Sequence, residues 1–244
     1  MRQRPLIHLV APRWHGWGIH RVYGHRYSPL VLLVLAALVR RYGWDARVID
    51  ENQEPIPDDE VPDAVGITVW TPYAPRAYEI AAHYRSRGVP VVLGGVHASL
   101  LPNEALRHAD AVVAGEAETI IGEVLADLET RTLKPYYHGP WAGMENVPSV
   151  VYGQFKRGQY MPTQSMQTTR GCRFNCDFCS VIRINGRGSR HMEPERVVEE
   201  FRYRLTIPPR MPTKLMVFLT DDDLAADRDY AGELCEALAS AALP

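Results

Sequence analysis

Three of the four cysteines in the chain lie within eight residues, at Cys172, Cys176 and Cys179. Free thiols are reactive, and three of them in one short segment invite oxidation or metal binding. Apolar and β-prone residues precede the segment, so we expect a strand that opens into a tight loop. Gly171 would let the backbone of that loop fold closely around whatever the thiolates bind.

Three kinds of ligand are compatible with thiols in this loop. A disulfide would join two cysteines and leave the third, and nothing in the sequence indicates secretion. Structural zinc requires four protein ligands, so Cys235 or His191 would have to complete the set. An iron–sulfur cluster takes thiolate ligands, and three thiolates leave one iron of a [4Fe–4S] cluster open for chemistry. The spacing therefore favours a cluster over the two alternatives.

The C-x3-C-x2-C loop, with Phe178 before its last cysteine, resembles the cluster loop of radical S-adenosylmethionine enzymes. The resemblance implies that the open iron binds the amino and carboxylate groups of S-adenosylmethionine, and that Phe178 contacts this cofactor. One electron, from a donor such as flavodoxin or ferredoxin, would cleave the sulfonium to a 5′-deoxyadenosyl radical that abstracts hydrogen from a substrate. In such enzymes the cofactors carry the difficult chemistry and the protein orients them.

The chain has the size and composition of a globular protein with one large or two ordinary domains. Apolar residues make up 46% of its 244 residues, and the formal charge of −2 provides no basic field for nucleic acid. The longest apolar run, residues 30–39, is too short to span a membrane. Without a recognisable signal peptide, we expect a cytoplasmic protein with no membrane span and no nucleic-acid partner.

The first 132 residues alternate short apolar runs with segments of helical periodicity. This alternation predicts a Rossmann-like, doubly wound parallel sheet of about five strands. In such sheets ligands bind beyond the carboxyl ends of the strands. The candidate binding residues at those ends are Thr68, Gly94, Gly95, His97, Gly115 and Glu116. Because paired glycines after a strand also form ordinary tight turns, the pattern alone is compatible with both interpretations.

This half resembles the cobalamin-binding domain that precedes many radical S-adenosylmethionine enzymes. The similarity lies in residues 93–97, 102–105 and 109–118, and it implies that the strand-end residues bind cobalamin. The D-x-H-x-x-G motif that supplies a histidine to cobalt elsewhere is absent. The first loop contains histidines without that context: His15, His20 and His25. Members of the fused family often bind cobalamin without such a ligand, so cobalamin remains an expected cofactor.

Residues 133–164 are rich in proline, glycine and aromatic residues, and we interpret them as a linker with one or two short extended pieces. Residues 165–244 show strand and helix patterns for two βα units, which resemble the first part of a radical S-adenosylmethionine (β/α) barrel. The second apolar run is followed by Asp221, Asp222 and Asp223, where the family has Asp-Asp-Asn. The resemblance implies that Asp221 or Asp222 binds the amino group of S-adenosylmethionine, and a helix N-cap is the alternative interpretation.

Two further residues of this half, Arg190 and Cys235, are also noteworthy. Arg190 lies where family members often carry an arginine that faces substrate or cofactor, although a solvated loop charge fits equally well. Cys235 lies among apolar residues of a predicted helix, so we expect a core residue.

Together these patterns predict a cobalamin-binding-type domain (1–132), a linker (133–164) and an incomplete radical barrel (165–244). The expected reaction is radical methylation or ring formation at an unactivated carbon of a small organic substrate. A methylthiotransferase is the enzyme alternative, but it carries additional N-terminal cysteines, and no cysteine precedes Cys172 here. Two βα units leave an open sheet edge, so we also consider a cofactor-binding fragment without turnover, or a barrel completed by a second chain.

Overall fold

The computed structural model describes residues 3–14, 27–150, 160, 163–206 and 216–243. These residues form two compact units. The N-terminal unit contains the described residues up to Trp141, apart from Tyr27 and Ser28, together with Val150. The C-terminal unit contains residues 142–149, the described residues from Tyr160 onward, and Tyr27 and Ser28.

The N-terminal unit is built on a six-stranded sheet in the order β2-β1-β3-β4-β5-β6. All of its strand pairs are parallel. Its strands are β1 (Leu6–Ala11), β2 (Asp45–Asp50), β3 (Ala64–Thr68), β4 (Val91–Gly94), β5 (Ala111–Gly115) and β6 (Tyr136–Gly139). The order reverses between β1 and β3, and ligands of such sheets bind beyond the carboxyl ends near this reversal.

Among the described residues, five helices lie between these strands, as the crossovers of a parallel sheet require. They are α1 (Leu30–Arg41), α2 (Ala74–Ser86), α3 (Val96–Leu100), α4 (Pro102–Ala105) and α5 (Ile121–Thr130). One apolar core lies under α2, α3 and α4 and includes Val65, Ile80 and Leu93. A second core lies under α5 and includes Val113, Val124 and Tyr137. The sheet is thus covered on both faces, which confirms the predicted Rossmann-like class and leaves its carboxyl edge as the place for a site.

The sixth strand is a short extended piece in the predicted linker, and its pairing adds one strand to the predicted sheet of about five. Tyr136–Gly139 pairs with Ala111–Gly115, and the amide of Val112 donates to the carbonyl of Pro135 at 2.9 Å. As an edge strand it alternates an exposed Tyr136 with a buried Tyr137. Four residues of alternation between prolines and glycines give too short a pattern to separate a strand from a loop.

The C-terminal unit contains two small sheets. In the first, β7 (Thr163–Met166) pairs in parallel with β10 (Met216–Leu219). In the second, β8 (Thr169–Arg170) pairs antiparallel with β9 (Arg190–His191). The helices are α6 (Val181–Ile184), α7 (Pro194–Thr206) and α8 (Arg228–Ser240).

Helix α8 corrects the expectation for Cys235, which is exposed rather than part of the core. The buried residues of this helix are Tyr230 and Leu234. Because successive helical residues are about 100° apart, the neighbour of a buried Leu234 turns toward solvent. Within the part of the chain that the structure describes, no helix combines the length and apolar character needed to cross a bilayer.

Candidate functional site

The carboxyl edge of the N-terminal sheet brings together the strand-end residues that the sequence singled out. Thr68, Gly94 and Gly115 are the last residues of three adjacent strands, β3, β4 and β5. Thr68 lies opposite Gly94 in the strand register, and the amide of Val69 donates to the carbonyl of Gly94 at 2.8 Å. The sequence prediction that these residues share one edge is therefore met by the parallel register.

Gly94 and Gly95 have different physical roles at this edge. Gly95 has a φ of 93°, and a Cβ there would lie 3.0 Å from both the Thr68 hydroxyl and the Val69 amide nitrogen. A Cβ on Gly94 would meet the carbonyl of Val113 at 3.5 Å, which is an ordinary contact. Gly95 is thus required by the fold itself, whereas the Gly94 position tolerates a small side chain.

Gly115 allows β5 and β6 to approach each other closely. Its φ is 81°, and a Cβ on it would overlap the carbonyl oxygen of Gly139. The amide of Glu116 donates to the same carbonyl at 3.1 Å, and the Glu116 side chain is buried. These two residues close the end of the sheet at its β6 edge.

His97 lies in a buried polar network between helices. Its Nε2 is 2.9 Å from the hydroxyl of Tyr78 and 3.3 Å from a carboxylate oxygen of Glu104, and its Nδ1 is 3.3 Å from the hydroxyl of Thr71. Burial, together with the Glu104 carboxylate, raises the pKa of Tyr78 to about 12. Both ring nitrogens therefore have protein partners, and the imidazole joins α3 to α2 and α4. The three histidines of the first loop, at 15, 20 and 25, lie outside the described residues.

A polar cavity beside the ends of β1 and β2 was not anticipated from the sequence. It has a volume of about 550 Å³, and its lining includes Arg13, Glu51, Arg76 and His83. Arg76 Nε donates to Glu51 at 2.9 Å, and the amide of Arg13 donates to Glu51 at 3.0 Å. Burial acts to raise the pKa of Glu51, but the bonds from Arg76 and Arg13 outweigh it and leave the pKa below its ordinary value. The available signal was an acidic residue directly after a buried strand.

In the C-terminal unit, the start of the cysteine loop is closely held by a neighbouring turn. Gly171 has a φ of 87°, and a Cβ there would lie 3.0 Å from the carbonyl of Asn185 and 3.1 Å from that of Gly186. The amide of Cys172 donates to the carbonyl of Gly186 at 3.4 Å, and Gly188 donates to the carbonyl of Cys172 at 3.3 Å. The position of Cys172 is therefore set by backbone contacts, as the expected glycine turn requires.

The other two cysteines lie further along an exposed part of the loop. Cys176 is exposed, and the amide of Cys179 donates to its carbonyl at 3.0 Å. Phe178 between them is 93% exposed. All four cysteines are free thiols, so the loop contains no disulfide.

The three thiols do not converge on a single metal position. Among the described residues, no group of three or more histidine, cysteine or acidic side chains is close enough to hold a metal ion. The donor set still fits an iron–sulfur cluster, because three free thiols share one short loop and thiolates are the usual ligands of such clusters. The Cys235 thiol, which a four-ligand zinc site would use, lies on helix α8.

Asp221 and Asp222 follow β10 and bond to the segment that leads into the cysteine loop. Asp221 accepts from the amide of Thr168 at 2.6 Å, from the amide of Thr169, and from both threonine hydroxyls at 3.1 and 3.2 Å. Asp222 accepts from the amide of Gly171 at 2.9 Å and from the side-chain amide of Asn185 at 2.8 Å. Burial raises the pKa of Asp221, and the bonds from Thr169 and Thr168 only partly offset this effect.

The helix-cap interpretation of the acidic run applies to a different residue. Asp227 caps α8, and its side chain accepts from the amide of Tyr230. Asp223 precedes the short 3-10 helix Leu224–Ala226 and makes no side-chain cap hydrogen bond there. Asp221 and Asp222 bond instead to Thr168, Thr169 and Gly171.

Arg190 and His191 are engaged by their own unit. The guanidinium of Arg190 donates to the carbonyls of Ala142 and Asn185. His191 stacks on Tyr230 with ring centroids 4.2 Å apart, and its Nε2 lies 3.4 Å from Asp227. Arg190 is therefore bound to backbone carbonyls rather than solvated, and His191 is packed on Tyr230.

Comparison with known proteins finds a B12-binding domain model and methyltransferase relatives that are similar to this chain. A family model described as B12 binding domain matches residues 16–125. Bacteriochlorophyllide d C-8(2)-methyltransferase of Chlorobaculum tepidum is 34% identical over 186 residues, covering 72% of this chain and 41% of that protein. Bacteriochlorophyllide d C-12(1)-methyltransferase of the same organism is 29% identical over 224 residues, covering 86% of this chain and 47% of that protein.

A solved structure shares the fold. The cobalamin-dependent S-adenosylmethionine radical enzyme OxsB, with aqua-cobalamin and S-adenosylmethionine bound, superposes with a TM-score of 0.75 at 16% identity. The match covers 98% of this chain and 37% of that one. The chain thus spans less than half the length of each of these three proteins. It belongs to the radical S-adenosylmethionine enzymes that carry a cobalamin-binding domain.

Proposed function

We propose that this chain is the N-terminal part of a radical S-adenosylmethionine enzyme that methylates an unactivated carbon of a small organic substrate with the help of cobalamin. The observation that carries the proposal is the joining of two features in one chain. A domain matched to B12 binding precedes a loop with three free thiols that follows a parallel strand. The methyltransferase relatives support methyl transfer as the reaction.

Cys172, Cys176 and Cys179 are the proposed ligands of a [4Fe–4S] cluster. When bound, the cluster and S-adenosylmethionine supply a 5′-deoxyadenosyl radical, with one electron from a donor such as flavodoxin or ferredoxin. The chain's own contribution is to place the thiols. Cys172 is held by the carbonyl of Gly186 and the amide of Gly188. Cys176 is exposed, and Cys179 is partly exposed like Cys172.

Phe178 is the proposed contact to S-adenosylmethionine on this loop. Its ring is 93% exposed although it lies directly beside Cys179. Leaving an aromatic ring in water forfeits about 2 kcal/mol of burial free energy, which a bound cofactor would recover. Its position next to a cluster thiol supports this assignment.

The proposed cobalamin site is the carboxyl edge of β3, β4 and β5. Thr68, Gly94 and Gly95 border it with backbone that a ligand can approach, and Gly115 and Glu116 close the β6 edge. His97 contributes by fixing α3 through its bonds to Tyr78 and Glu104. This edge lies next to the strand-order reversal, where doubly wound sheets bind their ligands.

Iron and cobalamin binding can be tested on the purified chain. Anaerobic reconstitution should give about four irons and four sulfides per chain, with loss of the cluster in Cys172→Ala, Cys176→Ala and Cys179→Ala. Cys235→Ala is the matched control, because this exposed thiol lies on α8 outside the loop. Stoichiometric zinc without iron–sulfur absorption would contradict the proposal.

Cobalamin is tested separately by titration with hydroxocobalamin, followed by absorption and tryptophan fluorescence. We expect saturable changes in both signals. Unchanged spectra would mean that the domain retains the fold without the cofactor. Two alternatives remain predictions: an enzyme that forms a ring, and a chain that binds the cofactors without turnover. Product analysis with the complete enzyme distinguishes ring closure from methyl transfer.

A further inference from the structure

We infer that Asp222, together with Asp221, is a positioning residue that fixes the start of the cysteine loop, rather than a contact to S-adenosylmethionine. The inference rests on the proposed cluster in this loop. It concerns two carboxylates that follow β10 and the backbone of residues 168–172, which precedes and includes the first cysteine.

The backbone at the end of the segment between β7 and β8 is buried. Thr168 is fully buried and Thr169 is 2% exposed, so their amides cannot be satisfied by water. Buried backbone amides almost always have an acceptor. Asp221 Oδ1 accepts from both of these amides, and from both threonine hydroxyls. Its other oxygen also accepts from the Thr168 hydroxyl at 3.1 Å.

Asp222 binds the backbone nearer to the cysteines than Asp221 does. A single oxygen, Oδ2, accepts from the amide of Gly171 at 2.9 Å and from Asn185 Nδ2 at 2.8 Å. Gly171 is bonded covalently to Cys172, and Asn185 lies in the turn whose carbonyls surround Gly171. Asp222 therefore connects both sides of the turn that holds the first cysteine.

The oxygens that already accept hydrogen bonds support the positioning role. A carboxylate that binds the ammonium group of a cofactor must offer it an oxygen, and ionised carboxyl groups act only as acceptors. Asp221 accepts four hydrogen bonds on Oδ1 and one on Oδ2, all from Thr168 and Thr169. Asp222 Oδ2 accepts two, from Gly171 and Asn185, so a cofactor ammonium group would have to compete with these donors or use Asp222 Oδ1. Both carboxylates therefore hold the segment that precedes Cys172. Residues that orient metal ligands without binding the metal typically change metal affinity about 10- to 100-fold.

The test compares Asp222→Ala with Asp222→Asn. Asparagine retains an oxygen that can accept from both Gly171 and Asn185, while it removes the charge and replaces the other oxygen by an NH2 group. Alanine removes both bonds. Asp229→Ala is the control, since Asp229 is an exposed carboxylate of the first turn of α8.

Two readouts are taken before any S-adenosylmethionine is added. The first is hydrogen exchange of the Gly171 amide in the iron-free protein, and the second is the rate at which a ferrous chelator removes iron from the reconstituted protein. We expect both rates to rise about tenfold in Asp222→Ala and to stay within about twofold of the unsubstituted protein in Asp222→Asn and Asp229→Ala. S-adenosylmethionine affinity is then measured on each loaded protein.

A cofactor contact would give the opposite pattern. In that case Asp222→Asn and Asp222→Ala would both weaken S-adenosylmethionine binding while leaving amide exchange and cofactor-free iron loss unchanged, and the positioning role would be wrong. If even the unsubstituted chain takes up no iron, the proposed function fails, and the Gly171 exchange rate still decides the role of Asp222. If Asp222→Ala does not fold, faster exchange in Asp222→Leu, or in an Asn185→Ala variant that removes one partner of the same oxygen, serves in its place.

Discussion

The amide of Gly171 donates to Asp222 Oδ2 at 2.9 Å, across 51 residues of sequence. This bond joins the residue before the first loop cysteine to the end of the neighbouring parallel strand. Because β7 and β10 run in the same direction, the segments that follow them emerge at the same edge. The parallel pairing is therefore what allows an acidic run in one βα unit to hold the thiol loop of the other.

Removing the Asp221 side chain should destabilise the C-terminal unit. Asp221→Ala leaves the buried amides of Thr168 and Thr169 without their acceptor, which costs about 1–3 kcal/mol for an unsatisfied buried group. Urea denaturation followed by hydrogen exchange of residues 163–206 measures the change. Asp229→Ala should stay within about 0.5 kcal/mol. Equal stability of Asp221→Ala and its control would show that these bonds contribute little.

The two adjacent glycines should respond differently to alanine. Gly95→Ala forces a side chain into a backbone at φ 93° with contacts of 3.0 Å, so it should destabilise the N-terminal unit by about 1–2 kcal/mol. Gly94→Ala should retain stability to within about 0.5 kcal/mol, since its Cβ makes only a 3.5 Å contact. Thermal unfolding of both variants checks this contrast.

Gly94 is therefore the better position at which to test the cobalamin site. Gly94→Leu should weaken hydroxocobalamin binding because its side chain would project from the end of β4. Titration is compared with Gly94→Ala, and the melting temperature of each variant shows whether the fold is intact. Undiminished binding by a folded Gly94→Leu protein would place the ligand elsewhere.

The stability of the N-terminal unit should depend on Glu51 in a pH-dependent way. The folded-state pKa of Glu51 lies below its ordinary value of 4.5, so its ionised form stabilises the fold above that pH. The contribution is lost as pH falls through the lowered pKa. The free energies of unfolding of the unsubstituted protein and Glu51→Gln should differ by about 2 kcal/mol at pH 7, and the difference should shrink as the pH falls below 4.5. A difference that stays constant down to the acid unfolding of the protein would contradict the assignment.

The hydroxyl of Tyr78 should contribute to the His97 network. Tyr78→Phe removes the bonds to His97 Nε2 and Glu104, and we expect a loss of about 1 kcal/mol in the stability of the N-terminal unit. Tyr42→Phe is the matched control, because the Tyr42 ring is 53% exposed. Equal melting temperatures for the two variants would show that His97 does not need this partner.

The order and type of most elements followed from local pattern. Apolar runs such as Ala64–Thr68 and Ala111–Gly115, separated by helices with one buried face, specify a parallel sheet because each strand must return to the same edge. That rule also placed Thr68, Gly94 and Gly115 together. The thiol spacing at 172, 176 and 179 predicts an iron–sulfur cluster from sequence alone, since the number of thiols and their separation are local properties of the chain.

Only the tertiary structure decided what the polar side chains contact. His97 turned out to bond to Tyr78, Arg190 to the carbonyl of Ala142, and Asp222 to Gly171, and all three partners are distant in sequence. Cys235 was misassigned because the side of a helix that faces the core depends on neighbours that a local window does not contain. The sequence allowed a short extended piece near Tyr136–Gly139, but its pairing with β5 depends on the fold. The physical reason is that apolar burial repeats with a period that can be read along the chain, whereas a hydrogen bond is directional and needs its partner placed by the fold.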